Sequence, residues 1–264
     1  MVNKIIGIQK ASTLLIFFIV KFLLFPTITM GQLRYTGISD ENKTGSKWIS
    51  PDGLVASYDF ETYTSAGLLK DFGPFENHGK TLRNIDTLGL FGKARIFSTL
   101  ADIVVLPDHK SFNLDGPITV AVWVKISIPN LHQHILACSN KFVFWTTEKN
   151  QFRFADTLGN GFTTLEGTVK IDGWHSIIAV WSGTKEDALS KNNIKIFIDG
   201  VQMDGTFENK WKPGAMLDNT ACVIGSTLHG AKGHQKLTFE EAIDEIQLFS
   251  RALNADEIKI HATR

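Results

Sequence analysis

Six carboxylates crowd the stretch EEAIDEIQLFSRALNADEI: Glu240, Glu241, Asp244, Glu245, Asp256 and Glu257. Two carboxyls cleave a glycosidic bond with retention when they stand about 5–5.5 Å apart, or with inversion at about 6.5–9.5 Å. A strand brings residues i and i+2 onto one face roughly 6.6–6.8 Å apart. The acids of EEAIDEI do not repeat at that step. Glu241 and Glu245 would share a face about 13 Å apart, and Asp244 and Glu245 would point to opposite faces. Asp59 and Glu61 in YDFE do form an i, i+2 pair, but at the end of a strand, where solvation accounts for them. No Gly-x-Ser-x-Gly, His-Glu-x-x-His or phosphate-cradling glycine loop is found. The sequence therefore predicts no catalytic residue.

Metal chemistry is the other use of such carboxylates. Calcium takes six to eight oxygens from carboxylates, amides and backbone carbonyls. Asp244 is expected on the same strand face as Ile246 and Leu248, turned inward, where a carboxylate must be paired, hydrogen-bonded or metal-bound. Asp71 lies in the loop KDFGPFENHG, rich in oxygen donors. Asp59, Asp71 and Asp244 are the candidate calcium ligands, tying the first strand to the last. The plainer reading is that Asp71 and Asn77 make side-chain turns and Asp244 accepts backbone N–H groups. His132 and His134 have a spacing that suits zinc on a strand, but no third ligand stands near, so a solvated loop is expected.

Glycan binding needs exposed aromatic rings. Trp123, Trp174 and Trp181 lie in apolar strands and are expected in the core. Trp145, at a strand end, and Trp211, in the polar loop ENKWKPG, are the candidate ligand-binding residues.

These residues need a scaffold. The chain has 264 residues, equal numbers of acidic and basic side chains and no net charge, so no general attraction to nucleic acid or anionic membrane is expected. MVNKIIGIQKASTLLIFFIVKFLLFPTITMGQ has two early lysines, an apolar run from Leu14 to Phe25 and then small and polar residues. That layout predicts a secretory signal over 1–31, cut before Gln32, with an uncleaved anchor as the alternative. Residues 32–50 read as a polar, flexible lead-in, with a glycosylation sequon at Asn42 that matters in a eukaryote. The two cysteines, Cys138 and Cys222, either form a disulfide, adding roughly 4 kcal/mol by closing a long loop, or remain two buried thiols.

From Pro51 onward short β-type runs alternate with turn signals. ITVAVWVKI, HILACS, KFVFWTT, QFRFADT, HSIIAVWSG, IKIFIDG, ACVIGS and AIDEIQLFS are the clearest. Asn160-Gly161 and Asp199-Gly200 mark hairpin reversals. Regular strands with almost no helix predict an all-β sandwich of two sheets. At the end, Asn254 and Glu257 have capping-box spacing, Leu253 and Ile258 that of a hydrophobic staple, and Asp256 and Glu257 suit a helix N-terminus. A short C-terminal helix is expected, with Glu240, Glu241, Glu245 and Gln247 facing solvent.

In order along the chain, GLVASYDFE, LKDFGPFENHGK, FGKARIF, DIVVLPDHKSFNL, ITVAVWVK, GWHSIIAVW, IKIFIDG, CVIGS and AIDEIQLFSRALNADEI complete a series. It resembles the laminin G-like branch of the concanavalin A-like lectin/glucanase family, over residues 51–264. The resemblance implies a jellyroll of two curved antiparallel sheets. It also implies a secreted recognition or adhesion module, often calcium-bound, whose partner is a glycan or an extracellular protein. Glycosidases share that superfold and are the alternative, as is a purely structural ectodomain. The glucanases' E-x-D-x-x-E arrangement is absent here.

Overall fold

The computed structural model describes residues 49–263 except 84, 100–101, 139–140, 172, 185, 212–221, 227–238 and 240. The expected signal, nearly all of the lead-in, Asn42 and Glu240 lie outside the described residues.

Two antiparallel sheets face each other, as expected of a jellyroll sandwich. The first contains β1 (Leu54–Tyr58), β3 (Ile85–Leu88), β4 (Lys93–Ile96), β6 (Ile118–Lys125), β11 (Trp174–Trp181), β12 (Ile194–Ile198), β13 (Val201–Gln202) and β16 (Ala242–Phe249). The second contains β2 (Lys80–Leu82), β5 (Ile103–Val105), β7 (Gln133–Cys138), β8 (Phe142–Thr146), β9 (Phe152–Asp156), β10 (Gly161–Thr164), β14 (Gly205–Glu208) and β15 (Cys222–Ile224). The strand orders are β13-β12-β11-β6-β16-β4-β3, with β1 also on β16, and β14-β10-β9-β8-β7-β15-β5-β2.

Strand alternation builds the core. Val120, Val122 and Val124 of β6 and Ile177, Ala179 and Trp181 of β11 point inward. They meet Phe144, Phe152, Phe154 and Phe162 of the second sheet. Each such side chain, fully buried, contributes roughly 1.5–3 kcal/mol. The Asp199-Gly200 turn joins β12 to β13 with both residues at positive φ, 51° and 80°. That backbone matches the right-handed twist of the flanking strands, which is why Asp-Gly sits there. Cys138 and Cys222 are directly opposed on β7 and β15, with Cα atoms 4.0 Å apart, and form a disulfide.

The outer face of the first sheet is also covered. Helix α1 (Ala255–Ala262) lies over it, and Leu253 and Ile258 pack with Leu54, Ala121, Ile178, Val180 and Phe249. Ile49 joins the same cluster. The capping box is complete: Asn254 Oδ1 accepts from Glu257 N at 3.0 Å, and Glu257 Oε2 accepts from Asn254 N at 2.9 Å. Glu257 also holds Arg251 at 2.6 and 2.7 Å through both terminal guanidinium nitrogens. Asn254→Ala is expected to cost about 1 kcal/mol in urea unfolding, the usual loss of a helix cap.

β16 departs from the expected phase. Its register on β6 shifts between Asp244 and Gln247, and Glu245 sits at φ 49°. This bulge uses one extra residue, so the inward set is Ile243, Ile246 and Leu248. Asp244 pairs with Trp123 and faces outward with it, not inward with Ile246 and Leu248. It is nonetheless fully buried, because other elements lie over that face. The solvent exposure expected for three neighbours is corrected as well. Glu241, Glu245 and Gln247 are buried. Glu241 Oε1 accepts from Ile128 N at 2.6 Å, which fastens the β6–β7 connection.

Candidate functional site

The expected calcium ligands do not come together. Asp59 Oδ1 accepts from Glu61 N and Thr62 N, both at 3.0 Å, and its Oδ2 from Thr62 Oγ1 at 2.7 Å. Asp71 Oδ1 accepts from Ser57 N at 2.7 Å and Gly73 N at 2.8 Å, and its Oδ2 from Asn77 N at 2.8 Å. Burial raises the Asp71 pKa, and these three N–H groups pull it back. Asp244 Oδ2 accepts from Leu90 N at 3.0 Å and Phe91 N at 3.2 Å. Each carboxylate thus fastens its own loop. Among the described residues no group of three or more His, Cys, Asp or Glu side chains could hold a metal. The joint site of Asp59, Asp71 and Asp244 is not formed.

The acid pair Asp59 and Glu61 is likewise engaged with backbone, since Glu61 Oε1 accepts from Lys93 N at 3.1 Å. Ser176 Oγ and His261 Nδ1, which sequence reading did not bring together, stand 2.7 Å apart. A hydroxyl beside an imidazole is a nucleophile–base geometry. Here Ser176 is 1% exposed and His261 0%, and the imidazole stacks on Trp123 at 5.8 Å. No substrate carbon can approach that hydroxyl, so the pair fastens α1 to β11.

Trp211 is corrected too. Its lysine-flanked sequence suggested a surface loop, but the indole is fully buried, 5.2 Å from Trp181 in a near-parallel stack and 5.0 Å from Phe154. Trp123 and Trp181 are buried as expected, while Trp174 at the start of β11 is only half-buried.

Trp145 stands differently. Phe144 points into the core, so Trp145 next to it points out of the second sheet, where it is half-buried. Arg153 on β9 is its direct cross-strand partner on one side and His134 on β7 on the other. The Arg153 guanidinium lies 5.4 Å from the Trp145 ring centre, within cation–π range. Arg153 is locked there by Thr163 Oγ1 at 2.6 Å, the Gly159 carbonyl at 2.7 Å and an ion pair with Glu208. His132 lies nearly parallel to Trp145, at 9° and 5.9 Å. The adjacent rim is tied down by paired amide contacts between Asn130 and Asn150, at 2.6 and 2.8 Å.

His134 belongs to β7, not to a solvated loop, and His132 immediately precedes that strand. Their Nε2 atoms are 3.1 Å apart. Burial pushes the His134 pKa down to about 3, with His132 adding to the fall. Burial also lowers that of His132, against the pull of Glu148. Both imidazoles are therefore neutral at pH 7. Three strands and one connection thus converge on a platform of one indole, two imidazoles and one fixed guanidinium, with Glu148 and Glu208 at its margins. Rings of this kind accept the C–H face of a sugar while fixed polar groups orient its hydroxyls.

Residues 98–259, more than half of the chain, match the family model described as the concanavalin A-like lectin/glucanases superfamily, of laminin G type. The chain belongs to that superfamily. No curated protein sequence matches it. Among solved structures of this lectin-like fold, Trypanosoma rangeli sialidase is similar over 80% of the chain, at 15% identity and a TM-score of 0.57. The chain spans 32% of that sialidase's length. Domain 4 of AbnA, a GH43 extracellular arabinanase from Geobacillus stearothermophilus solved with arabinotriose, is similar at 16% identity and a TM-score of 0.54. There 80% of this chain aligns with 98% of that one. The binding domain of botulinum neurotoxin DC, solved with SialylT, gives 12% identity, a TM-score of 0.54 and coverage of 80% and 51%. At these identities the likeness establishes the lectin-like fold and leaves function to the site.

Proposed function

We propose that this domain is a secreted, non-catalytic recognition module that binds carbohydrate on the outer face of its second sheet, at Trp145. One observation carries the reading. Trp145 is held half-open between His132 and a fixed Arg153, on a face that α1 does not cover. Two structures of the same fold were solved with oligosaccharides, arabinotriose and SialylT, which supports the ligand class. Secretion rests on the N-terminal layout and agrees with the disulfide, a bond of oxidising compartments. The non-catalytic reading rests on the acids: Asp59, Asp71 and Asp244 all hold backbone N–H groups of the fold.

A glycan array probed with the wild type and Trp145→Ala, in calcium and in EDTA, tests this. Wild-type protein is expected to bind a restricted glycan set. Trp145→Ala should lose at least about tenfold in affinity, equivalent to 1.4 kcal/mol, with an unchanged circular dichroism spectrum. Equal binding by the variant would remove Trp145 from the site. Turnover of β-glucans or sialosides, lost on Asp59→Ala or Glu61→Ala, would replace the lectin reading with a glycosidase. Loss of binding in EDTA alone would add a cation to the ligand contacts.

A further inference from the structure

We infer that His132 and His134 form a two-imidazole chelate for a borderline divalent cation of the copper, nickel or zinc class. The geometry carries it. Two metal–nitrogen bonds of about 2.0–2.1 Å, meeting between a right angle and the tetrahedral angle, place their nitrogens roughly 2.9–3.4 Å apart. The two Nε2 atoms stand 3.1 Å apart. A His-x-His step on a regular strand points both rings to one face, and here β7 begins between the two residues. The bulge between His134 and Leu136 keeps His134 opposite Trp145 while the rest of β7 continues into the core.

The surroundings of His132 fit the chelate. Glu148 Oε1 lies 3.7 Å from His132 Nδ1. A carboxylate beside the outer nitrogen of a ligating histidine orients the ring and raises its basicity. Metal-free, one imidazole must donate its Nε2 proton to the other. In the chelate both Nε2 lone pairs face the cation and each ring carries its proton on Nδ1, that of His132 toward Glu148. His132 has a side-chain exposure of 35%, so water can fill the remaining coordination positions. Protein ligation through imidazole nitrogen alone selects this class over calcium and magnesium, which take oxygen. This site does not depend on the glycan reading, although it adjoins the same indole.

The test is a titration of the tag-free chain with Cu²⁺, Ni²⁺ and Zn²⁺ by calorimetry and tryptophan fluorescence. Cu²⁺ or Ni²⁺ held between the imidazoles should quench Trp145, whose ring centre is 5.9 Å from both His132 and His134. One equivalent is expected with a Kd tighter than ~1 mM. His132→Asn and His134→Asn should each weaken binding at least about tenfold, a loss typical of disturbed metal ligands. Trp145→Phe should keep the heat and lose most of the quenching. The inference is overturned if neither Cu²⁺ nor Ni²⁺ binds, or if the double variant His132→Asn/His134→Asn binds as the wild type does. Retained native melting of both variants separates a lost ligand from a lost fold.

Discussion

Removing the disulfide by the double substitution Cys138→Ala/Cys222→Ala is expected to lower the unfolding free energy by about 2–5 kcal/mol. The bond closes a segment with a sequence separation of 84 between directly opposed positions of β7 and β15. In the unfolded chain it forbids most arrangements of that segment, and the loop-closure model assigns such a constraint more than 4 kcal/mol. Cys138 and Cys222 are themselves almost fully buried among core residues, so the two lost sulfurs leave a cavity as well. Guanidinium unfolding of the wild type with and without reductant, beside the double variant, separates these effects. The cross-link effect appears in both comparisons and the cavity effect only in the variant. A midpoint unmoved by reductant, with reduction verified by thiol counting, would show that the bond is not a stabilising constraint.

Asp244→Asn should flatten the dependence of stability on pH. Burial first, and the charge of Glu245 second, push the Asp244 pKa up to about 8 from an ordinary 3.8. In the native protein the carboxyl therefore keeps a proton that the unfolded chain has released. Native protein binds more protons than unfolded between these two values, so unfolding free energy falls as pH rises through that window. The stabilisation is full below about pH 4 and gone above about pH 8, a swing on the order of a few kcal/mol. Asparagine cannot ionise and still offers Leu90 and Phe91 a carbonyl acceptor. The variant should match the wild type near pH 4 and exceed it at pH 8. Asp244→Ala, which deserts both N–H groups, should be weaker at every pH. Gly89 confirms how close the clasp is, since a Cβ there would lie 2.6 Å from Asp244 Oδ2. Urea unfolding at pH 4, 6 and 8 checks this, and parallel curves for wild type and Asp244→Asn would refute it.

What the sequence makes legible here is local. Strand runs such as ITVAVWVK declare themselves by β-branched alternation, and Asn254 with Glu257 declares a helix start within four residues. Asp199-Gly200 declares its turn in two. The errors arise where burial is decided by distant partners. Trp211 carries polar neighbours in sequence and is buried by Trp181 and Phe154, which no nearby residue announces. The phase of β16 breaks at Glu245, a non-glycine residue at positive φ, and nothing in AIDEIQLF marks a bulge. Asp244 is a buried carboxyl that needs partners, but it faces outward from β16, and Leu90 and Phe91 supply N–H groups to it. The Trp145 platform was half legible. The indole and the His-x-His step are visible in the chain, whereas Arg153 joins them only through the register of β8 and β9.

The cover that α1 makes over the first sheet gives the domain a front and a back. Ile49 is packed into that cover with Leu253 and Ile258. Trp145, His132 and Arg153 open on the opposite sheet, across the full thickness of the sandwich. A ligand held on the outer face of the second sheet therefore leaves α1, and Ile49 packed with it, uncovered on the far side of the sandwich.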